Sequence, residues 1–317
     1  MPRVLRRKHL SENKRKIEFA VTKEDDGKDL GEFLRKSGAS RRLITKLKQV
    51  SGGITLNGEP ARTIDIVHTG DIAAIGMQSG EPLDENPDLF APVVYEDDDV
   101  IVYDKPVDMP VHPSHRHRYD TLGNLFAAQH GDMTFRPINR LDKDTSGLCA
   151  VAKNSFAAAK LSGTIEKTYF AVVCGKLSGS GKIDAPIGRC DGSVITREVR
   201  PDGQRAVTNY TVLGGNEKYT LIRIRLETGR THQIRVHFAH IGHPLAGDDM
   251  YGGDISDITH QALHCGELEF MLPVSGEKIS LSAPIREDML SILKGTSKNL
   301  PHDKFSMTLR IFCVSET

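Results

Sequence analysis

Residues 139–147 read NRLDKDTSG. Asp142 and Asp144 flank one lysine in this polar stretch, and apolar runs lie on both sides. A carboxylate that a fold presents to a substrate can act as nucleophile or base. Asp, Thr, Ser and Gly also make turns, because their short side chains bond nearby backbone or permit unusual torsions. Asp144-Thr145-Ser146-Gly147 fits that turn role well; Asp142 fits it less obviously. Function concentrates on loops held by rigid elements. Asp142 is therefore the candidate reacting group, and the residues after it are the candidate frame.

Three further constellations could carry chemistry. LETGRTHQIRVHFAHIGHPLAGDDMYGG (226–253) reads as a strand end, a glycine turn, a helix and a loop rich in Gly and Asp. Arg230 falls where strand becomes helix, and its planar fork could pair with a carboxylate across a site. The plain alternative is an exposed arginine at a helix start. Tyr169, in Lys167-Thr168-Tyr169, could stack on a base or be an ordinary half-buried strand tyrosine. His237, His240 and His243, with His112, His115 and His117, invite a zinc reading. His243 follows Gly242, and neither cluster matches HExxH or a CxxC framework, so no metal site is expected. Neither a P-loop nor GxGxxG is present, which leaves nucleotide hydrolysis and dinucleotide binding unsupported.

These residues need elements to position them. Residues 1–17 are basic and polar and read as an arm, or as a solvated tail without function. Residues 18–76 read as a small domain. Leu30, Phe33 and Leu34 have helical spacing before Gly38. Ser40 is a candidate N-cap for a second helix with Leu43, Ile44 and Leu47 on one face. ITLNGEPA (54–61) is a hairpin signal through Asn57-Gly58. Arg41, Arg42 and Lys46 on the second helix are candidate phosphate contacts, against the alternative of an ordinary solvated face. Residues 77–91, rich in Pro, Gly and acids, read as a linker. From 92 to about 295 strands predominate, with helices interspersed: 92–106 as strand, turn, strand; 154–163 as a helix; 166–175 and 219–227 as strands; 231–242 as a helix; 266–284 as a closing hairpin. This pattern predicts an α+β domain on a mostly antiparallel or mixed sheet. Residues 296–317 read as a C-terminal tail.

Bulk composition bounds the rest. A chain of 317 residues suits about two domains. Lys plus Arg and Asp plus Glu both number 42, so bulk charge does not mark a nucleic-acid binder. Its distribution does: the basic residues crowd the first fifty positions and the acidic ones cluster from Glu81 to Asp99. The apolar runs are far shorter than the ~20 residues a bilayer span needs, so no membrane association is expected. The five cysteines are odd in number and lack close pairing, which suits free thiols in the cytoplasm.

Taken in order, NRLDKDTSGL, EKTYFAVVCG and LETGRTHQIRVHFAHIGHPLAGDDMYG resemble the successive motifs of the RluA/RluD-type RNA pseudouridine synthases. KPVDMPVHP (105–113) and TLGN (121–124) resemble that family's upstream segment. Residues 18–76 are similar to an RNA-binding domain that many members share with a small-subunit ribosomal protein. The resemblance spans about residues 18–290. It implies isomerisation of uridine to pseudouridine within RNA. By it, Asp142 is the catalytic aspartate, opening the reaction by attack on the substrate or by taking a ribose proton. Tyr169 packs on the target base and assists proton removal at C5, and Arg230 pairs with the catalytic carboxylate. Arg140 helps hold the RNA open, and Arg235 joins Arg41, Arg42 and Lys46 as a substrate contact. No metal or organic cofactor is implied. Ribosomal RNA is favoured over transfer RNA because of the N-terminal domain, and a monomer is the default. A non-catalytic RNA-binding assembly factor is the alternative. Asn139 stands where many members have His, and Asp108 replaces the usual glycine, which puts the backbone of its loop in question.

Overall fold

The computed structural model describes residues 16–76, 83–131 and 133–294. Two sheets organise them. The first is antiparallel and built from β1 (Lys16–Ala20), β2 (Ile54–Leu56), β3 (Glu59–Pro60) and β4 (Ile72–Gly76) in the order β1-β4-β2-β3. Helices α1 (Leu30–Lys36) and α2 (Arg41–Leu47) pack on it through Leu30, Phe33, Leu34, Leu43, Ile44 and Leu47. Ser40 caps α2 by accepting from the Leu43 amide at 3.2 Å, as its position predicts. Asn57 and Gly58 both have positive φ, 53° and 88°, which is the signature of the tight hairpin turn between β2 and β3. Lys16 and Ile17 belong to β1 rather than to the arm; residues 1–15 and 295–317 lie outside the described residues, and with them most of the arm and the whole tail.

The second sheet has ten strands and forms the body of the remaining chain. Its elements are β5 (Val93–Glu96), β6 (Val100–Lys105), α3 (Leu122–His130), β7 (Arg136–Pro137), β8 (Ser146–Ala152), α4 (Ser155–Leu161), β9 (Glu166–Cys174), β10 (Ser180–Asp184), β13 (Val207–Gly215), β14 (Tyr219–Leu226), α5 (Gln233–His240), β15 (Leu263–Met271), β16 (Lys278–Ser282) and α6 (Glu287–Ser291), with a separate two-stranded ribbon of β11 (Ile187–Arg189) and β12 (Arg197–Val199). The main path runs β10-β13-β14-β9-β15-β8-β6-β5, with β16 beside β15 and β7 beside β8. The β15–β8 pair is parallel and its neighbours are antiparallel, so the sheet is mixed, as the strand-rich, non-alternating pattern predicts.

The sheet's register brings distant motifs level with one another. Cys265 on β15 pairs with Gly147 on β8 and with Tyr169 on β9. Tyr169 pairs on its other side with Ile224 of β14. The end of the 139–147 stretch and Tyr169 are thus two strands apart on one line across the sheet. Gly147 is required there. Its φ is +106°, and a Cβ would lie 2.3 Å from the Cys265 carbonyl oxygen. All seven residues of β8 are buried, so nothing in this strand can yield.

Helix α3 is absent from the sequence reading, which saw TLGN only as a motif. Thr121 and Asn124 form a reciprocal capping box at its start. Asn124 also donates to the Asp84 carbonyl at 2.8 Å, and Leu83 and Leu89 pack on the core. The far end of the expected linker is therefore strapped to the larger domain. Phe156 of α4 inserts into the core of the small domain, 5.7 Å from the ring of Phe19.

Gly147→Ala is expected to destabilise the fold by at least about 2 kcal/mol, since both the torsion and the Cys265 backbone oppose a side chain. Chemical denaturation of the purified variant measures this.

Candidate active site

The 139–142 segment is fixed to β8 by a buried asparagine. Asn139 Nδ2 donates to the Leu148 carbonyl at 3.0 Å, and its Oδ1 accepts from the Ala150 amide at 2.8 Å. The side chain replaces a missing strand partner, satisfying backbone groups that would otherwise be orphaned. The turn closes when the Thr145 amide donates to the Asp142 carbonyl at 3.1 Å, and Gln261 holds the Thr145 hydroxyl at 3.2 Å. From the other side comes Lys105, fully buried at the end of β6. Its ammonium donates to the carbonyls of Pro106, Met109 and Lys143 at 2.7, 2.8 and 3.0 Å. Burial lowers its pKa to about 8. The three bonds use all its protons and tie the 106–109 loop to the residue next to Asp142. Asp108 in this loop takes φ +59°, the conformation a glycine adopts freely, and Lys143 holds its carboxylate at 2.7 Å. The question raised by that substitution is thereby resolved: the glycine-like backbone is kept and an ion pair is added.

Asp142 faces a cleft with its side chain 30% exposed. The lining includes Leu141, Tyr169, Leu226, Ile234 and Leu263, with Arg140 and Arg230 at the polar side. Tyr169 is almost wholly buried, and burial, more than the nearby Cys265 and Asp142, pushes its phenol well above the usual range. It stays protonated at ordinary pH, so its ring rather than a phenolate is what it offers.

The carboxylate's partner differs from the expectation. Arg235, not Arg230, approaches Asp142, with Nη1 3.4 Å from Oδ2. Arg235 is only 5% exposed, and its Nε and Nη2 grip Asp248 in a two-pronged pair at 2.7 Å each. Its Nε–Nη2 edge is taken by Asp248 and its Nη1 faces Asp142, so the structure places it beside the carboxylate, where Arg230 was expected. Arg230 is exposed in the turn, and its Nε donates to the Arg205 carbonyl at 3.1 Å. The physical reason is the helix. Residues 233–238 of α5 are buried all round, so an arginine among them must find a carboxylate, whereas the turn residue can reach water. Gln233 sets the turn: its Oε1 accepts from the Arg230 amide at 3.0 Å, and its Nε2 donates to Val207 and Thr208.

Two residues at the site escaped the sequence reading. His232 caps α5 in a left-handed conformation, with Nε2 3.9 Å from Asp142 Oδ2. Tyr251 meets His232 Nδ1 at 2.7 Å, and the Arg235 guanidinium lies 4.9 Å from the Tyr251 ring centre. The signals were available as His in THQ and Tyr in DDMYGG, but only the fold shows them converging.

Arg140 lies exposed at the cleft, while Arg41, Arg42 and Lys46 are exposed on α2 in the other domain. The structure thus brings Asp142, Tyr169 and Arg235 together, with Arg140 and Arg230 at the edge. Of the histidines, His237 bonds Thr208 and the Ala185 carbonyl at 2.9 Å each, and His243 bonds the Cys174 carbonyl at 2.9 Å. Among the described residues no group of three or more His, Cys, Asp or Glu side chains is arranged to hold a metal. No helix of the described residues is long and apolar enough to cross a membrane.

A partly exposed carboxylate beside a guanidinium, in a cleft also lined by a buried tyrosine and apolar side chains, suits a flat ring with a polar edge. Comparison with known proteins identifies the family. Residues 99–240 match the family described as RNA pseudouridylate synthase. The chain is 38% identical over 277 residues to the uncharacterized RNA pseudouridine synthase YjbO of Bacillus subtilis, covering 83% of this chain and 98% of that one. It is 38% identical over 267 residues to ribosomal large subunit pseudouridine synthase D of Xanthomonas campestris, covering 77% and 81%. The chain belongs to the RNA pseudouridine synthase family. It is an isomerase acting on uridines in RNA. The human RNA pseudouridylate synthase domain containing 1 has a similar structure, with a TM-score of 0.52 and 26% identity over 62% of this chain and 83% of that one.

The buried pair separates the two arginines experimentally. Asp248→Ala strands the Arg235 charge and is expected to destabilise the enzyme by about 3–5 kcal/mol. Arg230→Ala, at an exposed site, should change stability by less than about 0.5 kcal/mol. Paired urea melts check both.

Proposed function

We propose that this enzyme isomerises specific uridines in ribosomal RNA, with Asp142 as the reacting group. The observation that carries the chemistry is the Asp142–Arg235 approach at 3.4 Å over the buried Tyr169 ring. The base must leave its stack to reach such a cleft, because its glycosidic carbon is otherwise enclosed. Tyr169 and the leucines then hold the ring face, and Arg140 and Arg230 at the edge meet the sugar-phosphate chain. Asp142 starts the reaction by attack on the sugar or by removing a ribose proton. The N-glycosidic bond breaks, the uracil turns, and C5 bonds to the sugar. As C5 bonds to the sugar, the Asp142–sugar bond breaks or the ribose proton returns; C5 then loses its proton to water and N1 takes one from water.

Ribosomal RNA is preferred because relatives at 37–38% identity carry the name ribosomal large subunit pseudouridine synthase D. The exposed Arg41, Arg42 and Lys46 on one short helix supply a sequence-independent grip on its backbone. The reading takes the enzyme as a cytoplasmic monomer.

Asp142→Asn is expected to fold and to bind RNA nearly as well as the parent and to release no tritium from C5-labelled RNA. Substantial release would sink the assignment. Replacing Arg41, Arg42 and Lys46 together with alanine should weaken RNA binding and reduce the salt slope of log K by about 2 to 3. An unchanged slope would remove α2 from the interface. A pseudouridine map of cellular RNA with and without the gene identifies the substrate: loss in ribosomal RNA supports the reading, and loss in transfer RNA replaces it.

A further inference from the structure

Arg197, Tyr251 and His232 form a chain of hydrogen bonds that stops just short of Asp142. The Arg197 amide donates to the Tyr251 hydroxyl oxygen at 3.0 Å. That oxygen lies 2.7 Å from His232 Nδ1. Since the oxygen already accepts a proton from Arg197, the arrangement satisfying every group has Tyr251 donating its own hydroxyl proton to Nδ1. The histidine's proton then resides on Nε2, the nitrogen 3.9 Å from Asp142 Oδ2. That separation is too long for a hydrogen bond, so the carboxylate keeps its lone pairs for substrate. Tyr251 also lies under the guanidinium of Arg235. One side chain thus touches both cationic or potentially cationic neighbours of the reacting carboxylate.

The backbone adds an independent observation. His232 has φ +57°, a left-handed conformation that Gly or Asn adopts more readily. A histidine in that torsion, with its ring only 11% exposed, points to a use for the imidazole.

We propose that Tyr251 and His232 are positioning residues for the reaction, Tyr251 fixing the Nε2–H form of His232 so that a neutral donor, not an imidazolium, faces Asp142. The proposal rests on Asp142 being the reacting group. Protonation of His232 would place a full positive charge beside the carboxylate and draw it into an ion pair, silencing it. The groups facing the ring are Asp142 from the turn, Arg235 on its own helix, Arg197 from β12, and Asp248 and Tyr251 from the loop. Burial, the largest influence, holds the imidazole below its ordinary range; Arg235 and Arg197 act in the same sense, and Asp142 and Asp248 oppose them. The silent form is therefore reached only as pH falls below the usual histidine range. The Tyr251 bond to Nδ1 further favours the neutral ring, because it can be made only while that nitrogen lacks a proton.

The test combines histidine nitrogen NMR with single-turnover tritium release across pH. The parent enzyme should show His232 protonated on Nε2 alone at neutral pH, the resonance being assigned by its loss in His232→Asn. Tyr251→Phe keeps the ring and loses the hydroxyl. It should raise the midpoint of the acid limb by about half to one pH unit and lower kcat with KM nearly unchanged. His232→Asn, which tolerates the left-handed torsion, should abolish the part of the acid fall in rate that protonation of His232 causes below the usual histidine range. A parent spectrum with the proton on Nδ1, or a Tyr251→Phe profile that superposes on the parent, would overturn the proposal. Asp142→Asn leaves the tautomer signal in place. A failure of the Asp142 assignment therefore appears in that variant's turnover, and a failure of this one in the spectrum or the profile.

Discussion

The paired bonds between Arg235 and Asp248 govern the site. Both groups are almost fully buried, and neither charge is tolerable there without the other. Two of the three guanidinium nitrogens are spent on Asp248, which orients the third toward Asp142. The arginine is thereby held as a fixed charge rather than a mobile one. On the proposed function, a charge fixed beside Asp142 needs no reorganisation during the chemical step, the general advantage of a preorganised site. Asp248 and Tyr251 lie on the loop after α5, and both meet the Arg235 side chain, so this side chain ties that loop to the helix.

The opposite wall is held mainly through backbone carbonyls. Asn139 stitches the reactive turn to β8 and Lys105 ties it to the preceding loop through three carbonyls. A buried ammonium among carbonyls, with no carboxylate bonded to it, holds the backbone without competing for the guanidinium. The two sides of the cleft are thus stabilised by different means. One pairs a cation with a carboxylate and the other holds a cation among backbone carbonyls, and Asp142 stands between them.

Much of this was legible in the chain. The hairpin at Asn57-Gly58, the cap at Ser40 and the strand bearing Tyr169 are local consequences of turn chemistry and periodicity. Asp142 stands apart from Asp144 in the chain because its neighbours already explain the turn, and the structure places it in the cleft. What the sequence left open was rotational. Arg230 and Arg235 are five residues apart in one motif, and which one faces inward depends on how α5 is surrounded. The burial of residues 233–238 on every side is a tertiary fact. Helix α3 was passed over although Leu122, Leu125 and Phe126 have helical spacing after a capping threonine. The ribbon of β11 and β12 has strands of three residues each, too short for period-two alternation to register.

Phe156 gives the two domains a shared part. It is carried by α4 of the larger domain yet completes the core of the smaller one, against Phe19. A side chain seated in another domain's core acts as a rivet. On the proposed function, this contact couples the basic face of α2 to the body that carries the Asp142 cleft. An RNA that used both, as proposed, would have to offer its backbone and its uridine at matching separation. Selection among uridines can in this way be made by the shape of the folded RNA, with few bases read directly.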